Sequence, residues 1–183
     1  MPIEHEAKVL DIDPETTERT ILDKGGRKLG ERFMRRYVYD IAPGDKSKWI
    51  RLRDNGNSVT LAVKQITGDA IDGTHEVEVT VDDFGATNEL LGILGFTPKS
   101  YQETERASFT LDGAQLEIDN WPLIPPYLEI EAPTTAEVIR VAELLGYTES
   151  ELTGENTIKI YARHGIDLDT VAELRFREPR GTR

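Results

Sequence analysis

Glu4, Glu6 and Lys8 occupy alternate positions near the start of the chain, and Glu129 and Glu131 repeat that spacing much later. On a β-strand, residues two apart share a face, so each set would present its charges to one side. Grouped carboxylates offer the hard oxygens that Mg2+ or Mn2+ prefers. Between these sets lie Arg51 and Arg53, Lys64, and Arg106, with Glu76, Glu78, Glu117 and Asp119 interspersed. Guanidinium and ammonium groups suit phosphate oxygens. One ligand uses both kinds of group, a polyphosphate carrying divalent metal ions. The chain has no glycine-rich phosphate loop, so side chains must do the holding.

These residues have to be positioned by strands. Alternation predicts strands over residues 3–10, 32–40, 47–53, 58–66, 74–81, 100–111, 114–119 and 127–132. Asn55-Gly56 marks a tight hairpin, since both residues tolerate positive φ. Asp13-Pro14-Glu15 reads as an N-cap, a first-turn proline and an early acid, opening a helix that ends at Gly25-Gly26. Apolar spacing predicts further helices over 84–94 and 134–145. The second of these has Thr134 and Glu137 as a capping box and Gly146 as its stop. Two shorter helices are predicted over 157–164 and 168–176, and the proline-rich residues 120–126 form a loop. The basic end, residues 177–183, reads as a loose tail on a single domain spanning 1–183.

Most of these strands carry one charged face and one apolar face, for example Val59, Leu61 and Val63 opposite Thr60, Ala62 and Lys64. For any single strand, a charged front in water is the ordinary antiparallel arrangement. About eight such strands together allow another: a sheet that curls closed, with helices on its apolar outside and a wet, charged interior. The fold class expected is α+β, an eight-stranded antiparallel barrel with a polar tunnel and external helices. An interior of that kind must bind something of matching charge, because unpaired buried charge is costly.

The chain has 183 residues, 38% hydrophobic and 31% charged, with a net charge of -12 and a pI near 4.7. So acidic a chain lacks the basic field that nucleic-acid binding needs. It has no cysteine, which excludes disulfides and thiolate metal sites. Neither a signal-peptide profile nor an apolar run of about 20 residues occurs. A cytoplasmic protein with no membrane or nucleic-acid partner is the expectation.

Glu4-His5-Glu6-Ala7-Lys8 resembles the ExExK motif of the CYTH superfamily, the triphosphate tunnel metalloenzymes. Arg51-Leu52-Arg53, Lys64, Glu76-Val77-Glu78, Arg106, Leu116-Glu117-Ile118-Asp119 and Glu129-Ile130-Glu131 follow in the family's order, so the resemblance covers nearly the whole chain. It implies a metal-binding wall of Glu4, Glu6, Glu129 and Glu131 supported by Asp119. It also implies phosphate contacts from Lys8, Arg51, Arg53, Lys64, Arg106 and Lys159, with Glu78 a further family acid that Glu76 could replace. Glu4, Glu6, Lys8 and Arg53 would be essential to turnover. The family's second-strand arginine corresponds to Arg35 or Arg36. Family members often pair, so a homodimer is compatible with the resemblance.

What the resemblance implies chemically is metal-dependent hydrolysis of a triphosphate, with inorganic triphosphate first and thiamine or nucleoside triphosphates behind it. A class IV adenylyl cyclase, making cyclic AMP from ATP, and a non-catalytic polyphosphate-binding module are the alternatives. Trp49 shares a face with Arg51 and would either stack on a flat organic group or simply pack the rim. No histidine is required: His5 points away from Glu4 and Glu6, and His75 and His164 lie outside the charged set.

Overall fold

The computed structural model describes residues 2–176. The predicted tail at 177–183 lies outside them. Strand β1, Ile3–Val9, leads into α1, Pro14–Asp23, where the Asp13 side chain accepts the backbone N–H of Thr16. There follow β2 (Arg27–Asp40), β3 (Lys48–Asp54), β4 (Val59–Ile66), β5 (Thr74–Val81), α2 (Phe84–Ile93), β6 (Ser100–Leu111), β7 (Ala114–Asn120), β8 (Tyr127–Ala132) and α3 (Thr135–Leu144). The chain then adds β9 (Leu152–Thr153), α4 (Thr157–Arg163), a 3-10 turn at Leu168–Thr170 and β10 (Glu173–Leu174).

Each strand from β1 to β8 pairs with two others, in the order β6-β2-β3-β4-β5-β1-β8-β7, and β7 pairs back to β6. The result is a closed eight-stranded antiparallel barrel with the helices outside. The β3–β4 turn uses Gly56 at φ +84°, and Asp112-Gly113, both at positive φ, turn β6 into β7. β9 and β10 are short additions at the rims, pairing with β1 and, in parallel, with β6.

Two elements differ from the sequence expectation. β2 begins at Arg27, not residue 32, because Arg27–Glu31 pairs with β6 across a bulge between Lys28 and Gly30. These polar residues show no alternation; the partner strand recruits them. The helix expected over 168–176 is a 3-10 turn and strand β10. Leu168 and Leu174 instead reach a cluster with Trp121, Tyr127, Ile160 and Tyr161, which Val171 joins from its edge.

The apolar faces of the barrel point outward, as expected. Ile21 of α1 and Val138, Val141 and Ala142 of α3 pack on Ala7, Phe109, Leu116, Leu128 and Ile130, all fully buried. Phe84 and Leu91 of α2 cover Tyr39, Ile50 and Leu52. Each such large side chain contributes about 1.5–3 kcal/mol by leaving water. With most apolar faces covered outside, though Val77 and Val79 of β5 stay exposed, the charged faces line the interior. Among the described residues no helix is long and apolar enough to cross a membrane.

Candidate functional site

The barrel encloses a cavity of about 740 Å³. The inner faces divide into two contiguous walls. Adjacent strands β6, β2, β3 and β4 contribute Arg106, Arg36, Arg51 with Arg53, and Lys64. Adjacent strands β5, β1, β8 and β7 contribute Glu76 with Glu78, Glu4 with Glu6, Glu129 with Glu131, and Glu117 with Asp119. Among the described residues, Lys8 is the one cation on the acidic wall.

Opposite charges meet where the walls meet. On one seam Lys64 lies opposite Glu76, and its Nζ contacts Glu4 at 3.0 Å and Glu76 at 2.8 Å. There Arg51 donates to Glu76 at 2.6 Å and to Glu78 at 2.8 Å, and Arg53 donates to Glu78 at 3.2 Å. On the other seam Arg106 lies opposite Asp119 and holds both of its oxygens, at 2.6 and 2.7 Å. Arg106 also pairs with Glu117. Lys8, almost fully buried, sits between Glu6 and Glu129, 3.1 Å from each.

The paired groups hold their charge firmly. Burial works against the Lys8 ammonium, yet Glu6 and Glu129 raise its pKa above the ordinary value. Burial would likewise raise Glu129, but Lys8 and Arg106 hold it well below the carboxylate range. Glu76, which burial also opposes, is held down to about 2, chiefly by Arg51.

Other groups are pushed by burial toward their neutral forms. Burial, together with a hydrogen bond to Glu76, pushes Glu4 up to about 8 despite Lys64. Burial and then the Glu129 and Glu6 charges raise Glu131. On the basic wall, burial and the neighbouring Arg51 lower Arg36 to about 9 and Arg53 to about 10. The buried Nε donors of Arg51 and Arg53 have no acceptor. A buried donor without a partner costs about 1–3 kcal/mol. Each wall therefore holds buried groups that their like-charged neighbours disfavour.

The structure distinguishes Arg35 from Arg36. Arg35 is exposed and pairs with Asp54, whereas Arg36 lies inside, donating to Gln102 at 2.8 Å with its guanidinium 4.4 Å from the Trp121 ring. Trp49 lines the cavity, half-buried. Lys159 is not brought to the cavity. It stands on the outside of α4, half exposed and paired with Asp69, while Asn156, Thr157 and Ile158 line the interior in its place. The short helix turns its lysine outward, a direction that order in the sequence does not reveal. Ser100, Gln102 and Thr104 of β6 and Trp121 and Tyr127 also line the cavity. The alternation that ends at Arg106 already contained the first three, but they carry no charge to draw attention. His5 meets Thr135 at 3.2 Å, on α3.

A metal ion has to be weighed against these contacts. Among the described residues no three carboxylates or histidines stand together as a ready chelate. Cations separate them: Lys8 lies between Glu6 and Glu129, and Lys64 between Glu4 and Glu76. The donor chemistry nevertheless fits a hard divalent ion. Burial and the neighbouring acids raise the proton affinity of Glu4 and Glu131, and a divalent ion is a charge that would stabilise their ionised forms.

The CYTH domain model matches residues 2–160. This chain belongs to the CYTH domain family. Solved structures share the fold. A Pyrococcus horikoshii protein is 22% identical with a TM-score of 0.74, over 86% of this chain and 98% of its own. A candidate adenylate cyclase from Vibrio parahaemolyticus is 14% identical with a TM-score of 0.73, over 87% and 98% of the two chains. A candidate adenylyl cyclase from Hippeastrum, described as having a dominant triphosphatase activity, is 17% identical with a TM-score of 0.57, over 90% and 96%. A search of curated proteins returned no match.

Proposed function

We propose that this CYTH protein hydrolyses a triphosphate, inorganic triphosphate foremost, held between the two walls of its barrel with Mg2+ or Mn2+. One observation carries the reading. Arg36, Arg51, Arg53, Lys64 and Arg106 face Glu4, Glu6, Glu129 and Glu131 across one cavity, and the buried Nε donors of Arg51 and Arg53 have no acceptor. A metal-bound triphosphate is a single ligand that suits both walls.

Arg36, Arg51, Arg53, Lys64 and Arg106 would hold the phosphate oxygens, with Lys8 beside them on the acidic wall. Arg51, Arg53 and Arg106 are already anchored by carboxylates and Arg36 by Gln102, so little side-chain entropy is lost on binding. Fixed guanidinium groups stabilise charge that builds on the departing diphosphate without having to reorganise. Glu4, Glu6, Glu129 and Glu131 would hold the divalent ion, which supplies Lewis-acid polarisation of phosphate oxygens and an acidified water. Glu4 must give up its proton for that role, and Lys64 remains 3.0 Å away to balance the carboxylate. Two charged walls hold the chain in line for displacement, the largest advantage that positioning offers.

A second reading, cyclic AMP formation from ATP, is favoured by the cavity volume of about 740 Å³ and by Trp49 on its lining, which together leave room for a flat base. Phosphate release and cyclic AMP formation, measured in parallel on inorganic triphosphate, thiamine triphosphate and ATP with Mg2+ or Mn2+, separate the readings. Metal-dependent phosphate release from inorganic triphosphate is the expected result. Cyclic AMP from ATP would establish the second reading, and the absence of both products would leave a polyphosphate-binding module.

A further inference from the structure

The Arg106 guanidinium is engaged on two edges by two different carboxylates, with a third, Glu129, 3.6 Å from Nη2. Its Nε and Nη2 donate to the two oxygens of Asp119, at 2.6 and 2.7 Å, as a bidentate fork. Its Nη1 pairs with Glu117 on the same strand. The two acids differ in exposure: Asp119 is 0% exposed, whereas the Glu117 side chain is 21% accessible and lines the cavity. Tyr127, 2% exposed, stands opposite Asp119 on β8.

We propose that Asp119 is a positioning residue that anchors Arg106, not a ligand of the divalent ion, and that Glu117 is the placeholder that a substrate phosphate displaces from Arg106. Both oxygens of Asp119 are spent on one guanidinium, in the planar geometry that gives such pairs their strength and direction. A metal ion at Asp119 would have to break that fork, leaving buried Arg106 with only Glu117 and the longer contact to Glu129. The Nη1 edge is different. Glu117 is the more exposed partner, and exchanging one anion for another there keeps Arg106 neutralised throughout. Asp119 thus fixes the direction in which Arg106 points, and the Glu117 edge opens to the ligand.

The inference rests on the proposed triphosphate site, and the test separates the two. Binding of an imido-bridged triphosphate that resists hydrolysis is measured by calorimetry at saturating Mg2+, and Mn2+ binding without triphosphate by paramagnetic resonance. For Asp119→Asn, triphosphate binding is expected to weaken about tenfold or more while Mn2+ affinity stays within about twofold. Arg106→Gln is expected to weaken triphosphate binding to the same degree, and the double variant no further, because the residues act as one unit. Glu117→Gln is expected to tighten triphosphate binding. A fall in Mn2+ affinity in Asp119→Asn with triphosphate binding intact overturns the inference, as does weaker triphosphate binding in Glu117→Gln. Should Asp119→Asn fail to fold, the opposite signs expected for Glu117→Gln and Arg106→Gln still decide it. A wild-type chain that takes up no triphosphate overturns the proposed function instead.

Discussion

Glu4→Gln has two effects that pull apart what one carboxylate does for stability and for turnover. Inside the barrel Glu4 keeps its proton up to about pH 8, against an ordinary value of 4.5, because burial disfavours its charge and Glu76 accepts its hydrogen bond. The sign of the stability effect follows from linkage. A folded pKa above the unfolded one contributes stability that is fully present below about pH 4.5 and is lost as the pH rises through about 8. At about 1.4 kcal/mol for each tenfold change in proton affinity, that shift is worth about 4–5 kcal/mol at most. With 21% of the side chain open to water, about 3 kcal/mol is the figure to test. Glutamine mimics the neutral acid, keeps a donor for Glu76 and never ionises. Metal-free Glu4→Gln should match wild type near pH 5 and exceed it by about 3 kcal/mol near pH 9. Urea unfolding of both chains across that range is the assay. The same variant should lose metal-dependent hydrolysis at every pH. Parallel stability curves for the two chains would refute the reasoning, because Glu4 would then ionise as freely in the barrel as in the unfolded chain.

Other outcomes follow from the same contacts. Mn2+ binding near neutral pH should release protons, since Glu4 must give its proton up; calorimetry in buffers of different ionisation heat reads this directly, and heats independent of buffer would count against it. Arg53→Ala should lower turnover about 100-fold or more while leaving the melting temperature unchanged or raised, because Arg53 sits against the like charge of Arg51. Ile130→Ala, at a fully buried position beneath α3, should cost about 2–5 kcal/mol in denaturant unfolding without altering the Michaelis constant of the folded fraction. Lys159→Ala should change turnover by less than about threefold, as its exposed pair with Asp69 contributes little; a much larger loss would show that Lys159 reaches the substrate.

Much of the barrel was legible because charge marks the inner face. On β1, β3, β5 and β8 a charged residue at every second position identifies side and register together, and those strands lie where alternation puts them. Where charge is absent or doubled, the signal fails. Arg35 and Arg36 are adjacent, so residue type cannot say which one enters; pairing with β6 decides it. Gln102 is a buried partner of Arg36, yet an amide reads as surface in a sequence. Residues 168, 171 and 174 imitate a helical stripe, but the cluster around Trp121 and Tyr161 draws Leu168 and Leu174 inward through a turn and a strand. Lys159 was placed by order alone, and order does not give the rotation of a short helix. Asp119 has the residue type of a metal ligand, and nothing in the sequence shows that both of its oxygens accept from Arg106.

The charge seams also bear on how the chain finds its own topology. A closed barrel must choose a register at every hairpin, and a slip of one residue exchanges the two faces of a strand. Along β4 and β5 such a slip would press Lys64 or Glu76 against the apolar exterior and turn Val63 or Val77 into the polar interior. Along β6 and β7 it would part Arg106 from Asp119 and strand both in places without a partner. Wrong pairings are thus penalised by unpaired charge and by exposed apolar surface at once. The groups assigned to the ligand double as alignment marks during assembly, so neutralising a seam should produce misfolded chains as well as inactive ones.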